Sequence, residues 1–306
     1  MSQALALAVL AGLVSAGLAL LPLSGSVGLI FFGYFVQLPL MLAGLTMGFA
    51  ACLVAIVTAL LINALIGGPS VAAIYAVAFA LPSIIVVRQA LLSRSDNGTT
   101  EWYPPGFVLA WLTVAAALGV VAAFAMFMGR DGGLLGLIDQ SLTEAISQLS
   151  SGDGQAVPVP DLSAIRDRIW MIPAAVASSW LIMAVLNGII AQSLAVRSGW
   201  NRRPSPNFSS LDLPVWLWPL MGIAAMLALV GGSGDLGSLG RTALIVLVTP
   251  FAFLGLAVIH KFANRWSHRQ LGLAAIYAGI VVFNWPILAV VALGLVEDWA
   301  HLRRYM

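Results

Sequence analysis

Long apolar runs, broken by short stretches of small and polar residues, follow one another along the chain. A helix needs about 20 residues to cross roughly 30 Å of hydrocarbon. Nine segments approach or exceed that length: about 4–22, 29–47, 49–67, 70–92, 106–128, 169–195, 214–232, 242–260 and 270–297. They are continuously apolar and rich in Ala, Leu, Val and Ile, whereas barrel strands alternate apolar and polar residues. The pattern predicts an all-α polytopic transmembrane bundle of about 8–9 spans, with residues 1–306 as one integral membrane domain.

Two stretches depart from a plain span. Segment 270–297 is long for one crossing and is interrupted by Asn284-Trp285-Pro286. A proline-kinked, tilted span is the leading reading, because Pro is tolerated in membrane helices. A re-entrant hairpin is the other. The stretch 129–168 is too long for a mere connection. Within it Leu135, Ile138, Leu142, Ile146 and Leu149 recur at helical spacing among Asp139, Gln140, Thr143, Glu144 and Gln148. This predicts an amphipathic extracytoplasmic helix over about 133–150. It serves either as a lid or docking element, or as a helix packed over span ends.

Composition agrees with the pattern. Hydrophobic residues make up 61% and charged residues 8%, against about 25% charged in soluble proteins. Arg88 is the first Lys, Arg, His, Asp or Glu. An ordinary soluble enzyme, a disordered chain and a nucleic-acid binder are thereby excluded. The N-terminus lacks a positive n-region, so its apolar run reads as the first span and not as a cleaved signal peptide.

Charge then orients the bundle. Arg88, Arg94, Arg197, Arg202, Arg203, Lys261, Arg265 and Arg269 fall in three short loops. The alternate loops hold fewer basic residues, and 129–168 carries six carboxylates. By the positive-inside rule the first group faces the cytoplasm of a bacterial inner membrane. The N-terminus is then cytoplasmic, and the side of the C-terminus stays open.

Candidate chemistry is sparse. Cys52 is the single cysteine, which excludes an intrachain disulfide and a cysteine-based metal cluster. No metal or cofactor is expected. Catalytic signatures are absent, so an enzyme is disfavoured. Gly232, Gly234 and Gly237 spell G-x-G-x-x-G, but between two spans this reads as a loop. Amides at membrane depth stand out: Gln37, Asn63 and Asn187 are the candidate ligand contacts, with Gln192 and Asn284 nearby in type. Such groups either bond to a neighbouring helix or converge on a neutral or weakly polar ligand. Ala4, Ala8, Gly12 and Ala16 recur every fourth position on the first helix. Such a stripe permits close helix approach, within the chain or to a partner subunit.

Two resemblances add to this. The stretch Trp170-Met171-Ile172-Pro173, Ser178-Ser179, Asn187-Gly188, Arg197-Ser198-Gly199, Pro206-Asn207-Phe208 and Leu213-Pro214, with the tail Gly294, Asp298 and Arg303, resembles the YybS-like family of bacterial membrane proteins. More weakly, Gly44 to Gly48, Leu61 to Gly68 and Ala80-Leu81-Pro82 are similar to S components of energy-coupling-factor vitamin transporters. That likeness implies a small-residue stripe docking a transmembrane partner, with an ATPase pair supplying energy. The leading functional expectation is a small-molecule-binding or transport subunit in the lipid bilayer. The alternative is a non-transporting scaffold or regulator acting through protein–protein contacts.

Overall fold

A computed structural model describes residues 3–21, 30–96, 98–151, 166–208, 211–283 and 285–300. In chain order the helices are α1 (Gln3–Leu20), α2 (Ile30–Gly33), α3 (Gln37–Met47), α4 (Phe49–Tyr75), a π-helical segment (Ala76–Ala80) and α5 (Leu81–Ala90). Then follow α6 (Pro105–Phe127), α7 (Gly133–Ser151), α8 (Met171–Arg197), α9 (Leu217–Val230), α10 (Asp235–Ala263), α11 (Arg269–Phe283) and α12 (Pro286–Ala300). Between α5 and α6 an antiparallel hairpin pairs β1 (Ser93–Asp96) with β2 (Thr99–Trp102).

Five helices are long and apolar enough to cross a membrane: α1, the run Phe49–Ala90, α6, α8 and α10. The bent pair α11 and α12 makes up to six. The expected 8–9 spans are thus not all present as continuous helices, for three physical reasons. Segment 29–47 is broken at Tyr34–Val36 into α2 and an 11-residue α3. Segment 214–232 yields only the 14 residues of α9, about 21 Å of helix. Segment 270–297 turns through 120° between α11 and α12, far beyond a proline kink. Asn284, at that turn, lies outside the described residues.

The 42-residue run Phe49–Ala90 would be about 63 Å long if straight. It is not straight. Gly68 has φ 81° and ψ 176°, a conformation open essentially to glycine. Pro69 then opens the second half with its φ already set for a helix. A side chain at Gly44 would meet both Val87 and Cys52, so the two halves lie side by side. The break falls in the Gly67–Ser70 connection expected from the sequence.

Lipid-facing surfaces follow from the same residues. Leu65, Leu118, Met126, Leu229 and Val281 are exposed on helices that carry almost no charge. Buried Leu40, Met41, Cys52, Leu112, Leu181 and Phe251 form the interior. Backbone polar groups without water must pair within the chain, and helices do this along their whole length. The arrangement suits a bilayer.

The helix α7 runs over 133–151, close to the bounds expected. Leu134 is buried with Val120, Phe124 and Val246, and Leu135 and Ile138 pack against that cluster. Arg166 pairs with Asp139 at 2.8 Å and donates to Thr143 at 3.1 Å. The N-terminal turns of α7, through Leu134, Leu135 and Ile138, therefore lie on α6 and α10.

Candidate functional site

Proline in a membrane helix leaves a carbonyl without its usual donor, and the structure turns on how two such gaps are closed. Pro82 lies four residues after Ala78 and brings no N–H to the Ala78 carbonyl. The helix widens into the π segment here, with Leu81 N–H reaching Ala76 O. Two side chains donate to the free Ala78 oxygen: Gln37 Nε2 at 3.2 Å and Trp180 Nε1 at 2.8 Å. At the second gap, Pro39 follows Phe35 by four. Leu38 N–H takes Phe35 O instead, in a tighter turn. Next to it Asn187 Nδ2 donates to Tyr34 O at 2.7 Å and to Met183 O at 2.8 Å. Ser15 Oγ donates to Val36 O at 2.6 Å.

Gln37 and Asn187 are therefore brought together around the α2–α3 break, with their amide N–H groups committed to backbone. Asn63 is apart from them: its Nδ2 donates to Ala59 O in its own helix at 2.9 Å. The side-chain oxygens of Gln37, Asn63 and Asn187 are buried without a hydrogen-bond partner. Each could accept one bond from a small donor.

The small-residue stripe is divided. Ala8, Gly12 and Ala16 are buried and Ala4 is exposed. A Cβ at Gly12 would collide with the Ala55 carbonyl and lie 2.7 Å from Thr58 Cβ. The buried part of this face thus packs on α4 of the same chain.

The tail residues also have structural work. Gly294 of α12 sits against the Phe251 carbonyl, and Gly255 of α10 against the Val290 carbonyl, so neither has room for a Cβ. One turn beyond Gly294, Asp298 Oδ2 accepts from Trp218 Nε1 of α9 at 2.7 Å. Trp218 in turn meets Phe251 edge to face at 5.6 Å. Gly294 and Asp298 thus tie α9, α10 and α12 together. Arg303 lies outside the described residues. The G-x-G-x-x-G run is the tight turn between α9 and α10, with Gly237 against the Gly231 and Gly232 backbone.

The feature the sequence did not announce is a cavity of about 250 Å³ among α3, α5, α6, α8 and α10. One end is apolar, with Leu112, Ala184, Val185 and Phe253. Its other end carries Gln192, Ser193, Arg203 and Ser205. From Pro105 to Leu112 along α6, and from Gln192 to Ala184 along α8, the lining runs about 10 Å. None of Gln37, Asn63 and Asn187 lines it, although Gly188 does.

Arg203 is only 6% exposed. Its Nη1 donates to Ala90 O at 2.9 Å, capping the C-terminus of α5, where the helix dipole favours a cation. Its guanidinium lies 5.7 Å from the Trp102 ring of β2. Its backbone carbonyl accepts from Gln192 Nε2 at 2.9 Å. Its Nε is buried with no partner, and no carboxylate pairs with it among the described residues. Burial lowers its pKa, yet arginine stays charged. In the sequence Arg203 is one more loop cation; only the packing of its loop against α5, β2 and α8 sets it apart.

These helices define a multi-pass α-helical membrane protein. The model of the family described as "Predicted membrane protein (DUF2232)" matches residues 7–297, and the chain belongs to that family. No curated protein and no solved structure matches the chain.

Proposed function

We propose that this protein binds a small molecule in the α5–α6–α8 cavity, as the membrane-embedded subunit of a transport system. The observation that carries the reading is the graded lining: apolar at one end, with Gln192, Ser193, Arg203 and Ser205 gathered at the other. Small-molecule sites are mostly apolar clefts with a few placed polar groups. A cavity of about 150 Å³ suffices for benzene, so about 250 Å³ admits a larger apolar group.

The transport role rests on the weaker resemblance to S components of energy-coupling-factor transporters, which implies an energised ATPase partner that releases the ligand. Such a partner would dock elsewhere than on Ala8, Gly12 and Ala16. We place the chain as a single membrane domain in the bacterial inner membrane, N-terminus inside, on the basic loops. A scaffold acting through α7 is the second reading; the N-terminal part of its apolar face, Leu134, Leu135 and Ile138, is already used on α6 and α10.

Native mass spectrometry of the protein released from lipid nanodiscs tests the binding. A bound small molecule is expected on the wild type and is expected to be depleted in Val185→Trp, whose indole takes up part of the cavity. Wild type that flies without any adduct, or an adduct unaffected by Val185→Trp, overturns the reading.

A further inference from the structure

We infer that the ligand of this cavity is an anionic amphiphile, with its charged head on Arg203 and its apolar tail between α6 and α8. The inference rests on the binding reading above and adds the chemical class.

Arg203 lines the cavity, is nearly fully buried and has no carboxylate partner among the described residues. A buried charge without a counter-charge is costly. The α5 C-terminus and the Trp102 ring offset part of that cost, as partial charges can. They leave Nε–H without an acceptor. A carboxylate or phosphate held against the guanidinium from the cavity supplies the missing counter-charge. Guanidinium groups recognise both anions through paired donors. Gln192 has one of its two N–H donors held by the Arg203 carbonyl and carries no charge to match the anion.

Beyond this end the cavity offers no second charge. Val86, Val108, Leu112, Val185 and Phe253 line the way inward over about 10 Å. A single hydrocarbon chain matches that shape and chemistry. A sugar or a peptide would leave its polar groups unpaired against those side chains.

Photo-crosslinking in nanodiscs tests this with three probes sharing one diazirine-bearing alkyl chain: a fatty acid, its methyl ester and the matching alkyl phosphate. The acid, the phosphate or both should label peptides containing Val108 or Val185 about tenfold more strongly than the ester. Which anion labels identifies the head group. Arg203→Gln should bring anionic labelling down to the ester level, and Arg203→Lys should restore part of it. Should Arg203→Gln fail to fold, the three-probe comparison on wild type decides alone. Equal labelling by the ester, sensitive to Val185→Trp, overturns the anionic head and leaves the cavity as a binding site. Absence of labelling at the cavity by any probe overturns both.

Discussion

Two parts of the bundle are equally apolar and are held together differently. Around the α2–α3 break, the π segment and α8, the contacts are polar. Side-chain amides and an indole donate to backbone carbonyls that Pro82 and the broken turn leave free. Among α9, α10 and α12 backbone packs against backbone at Gly240, Gly255 and Gly294, with one side-chain hydrogen bond added, from Trp218 to Asp298. The difference follows from helix continuity. A helix whose carbonyls are paired along most of its length, as in α10 apart from the gap at Pro250, offers a neighbour little that is polar, so close packing is what joins it. A broken helix has unmet carbonyls, and a polar side chain on the next helix meets them. The cavity lies where the polar kind of contact ends, beside Gly188, one residue beyond Asn187.

The largest effect should come from filling a glycine crossing. In Gly294→Leu the new side chain meets the Phe251 carbonyl, which cannot move aside as a flexible side chain would. A loss of about 3 kcal/mol or more is expected, by overpacking. The single cysteine, Cys52, is fully buried, so its labelling by a permeable maleimide reports unfolding. Wild-type labelling kinetics in Gly294→Leu would break the comparison.

Next comes the shared acceptor at Ala78. Gln37→Leu or Trp180→Phe alone removes one of two donors and should cost on the order of 1 kcal/mol. The double variant leaves the carbonyl bare and should exceed the sum of the singles by about 1 kcal/mol. Additivity in the same Cys52 assay would mean that Ala78 is not the common partner. In a Pro82→Ala background the coupling should shrink, because residue 82 then carries an N–H for Ala78. Unchanged coupling there would remove proline as the cause.

The smallest effect should come from the pair that ties Arg166 to Asp139. Both side chains are close to half exposed, so Arg166→Ala should cost about 0.5 kcal/mol or less. Leu134→Ala, at the buried contact of α7, should cost more, about 2 kcal/mol. The reverse order would show that charge, not apolar packing, holds α7 in place.

How far the sequence carries can be read from the same residues. The helical class was legible because uncharged runs leave the backbone no other way to pair. The fold-back at Gly68-Pro69 and the amphipathic helix near 133–150 were legible too, since both have local signatures. The hairpin β1–β2 was not foreseen, although Asn97-Gly98 between Ser- and Thr-bearing flanks is a recognised turn signal. Length alone gave 8–9 spans where five to six helices are long and apolar enough to cross: the turn at 34–36 and the 120° bend before α12 depend on packing. Gln37 and Asn187 drew notice as membrane-depth amides, but sequence spacing does not show that both serve backbone carbonyls. Arg203 drew notice only as a loop charge. Its burial arises from α5, β2 and α8 closing on its loop, a packing that no local pattern records.

The central claim is that the cavity beside Arg203 is a binding site. An electron cryo-microscopy map of the wild-type protein in nanodiscs tests it most directly. The account predicts elongated non-protein density running from the Arg203 guanidinium past Leu112 towards Phe253. A cavity filled by the protein's own side chains, or empty at a resolution that shows them, would contradict it.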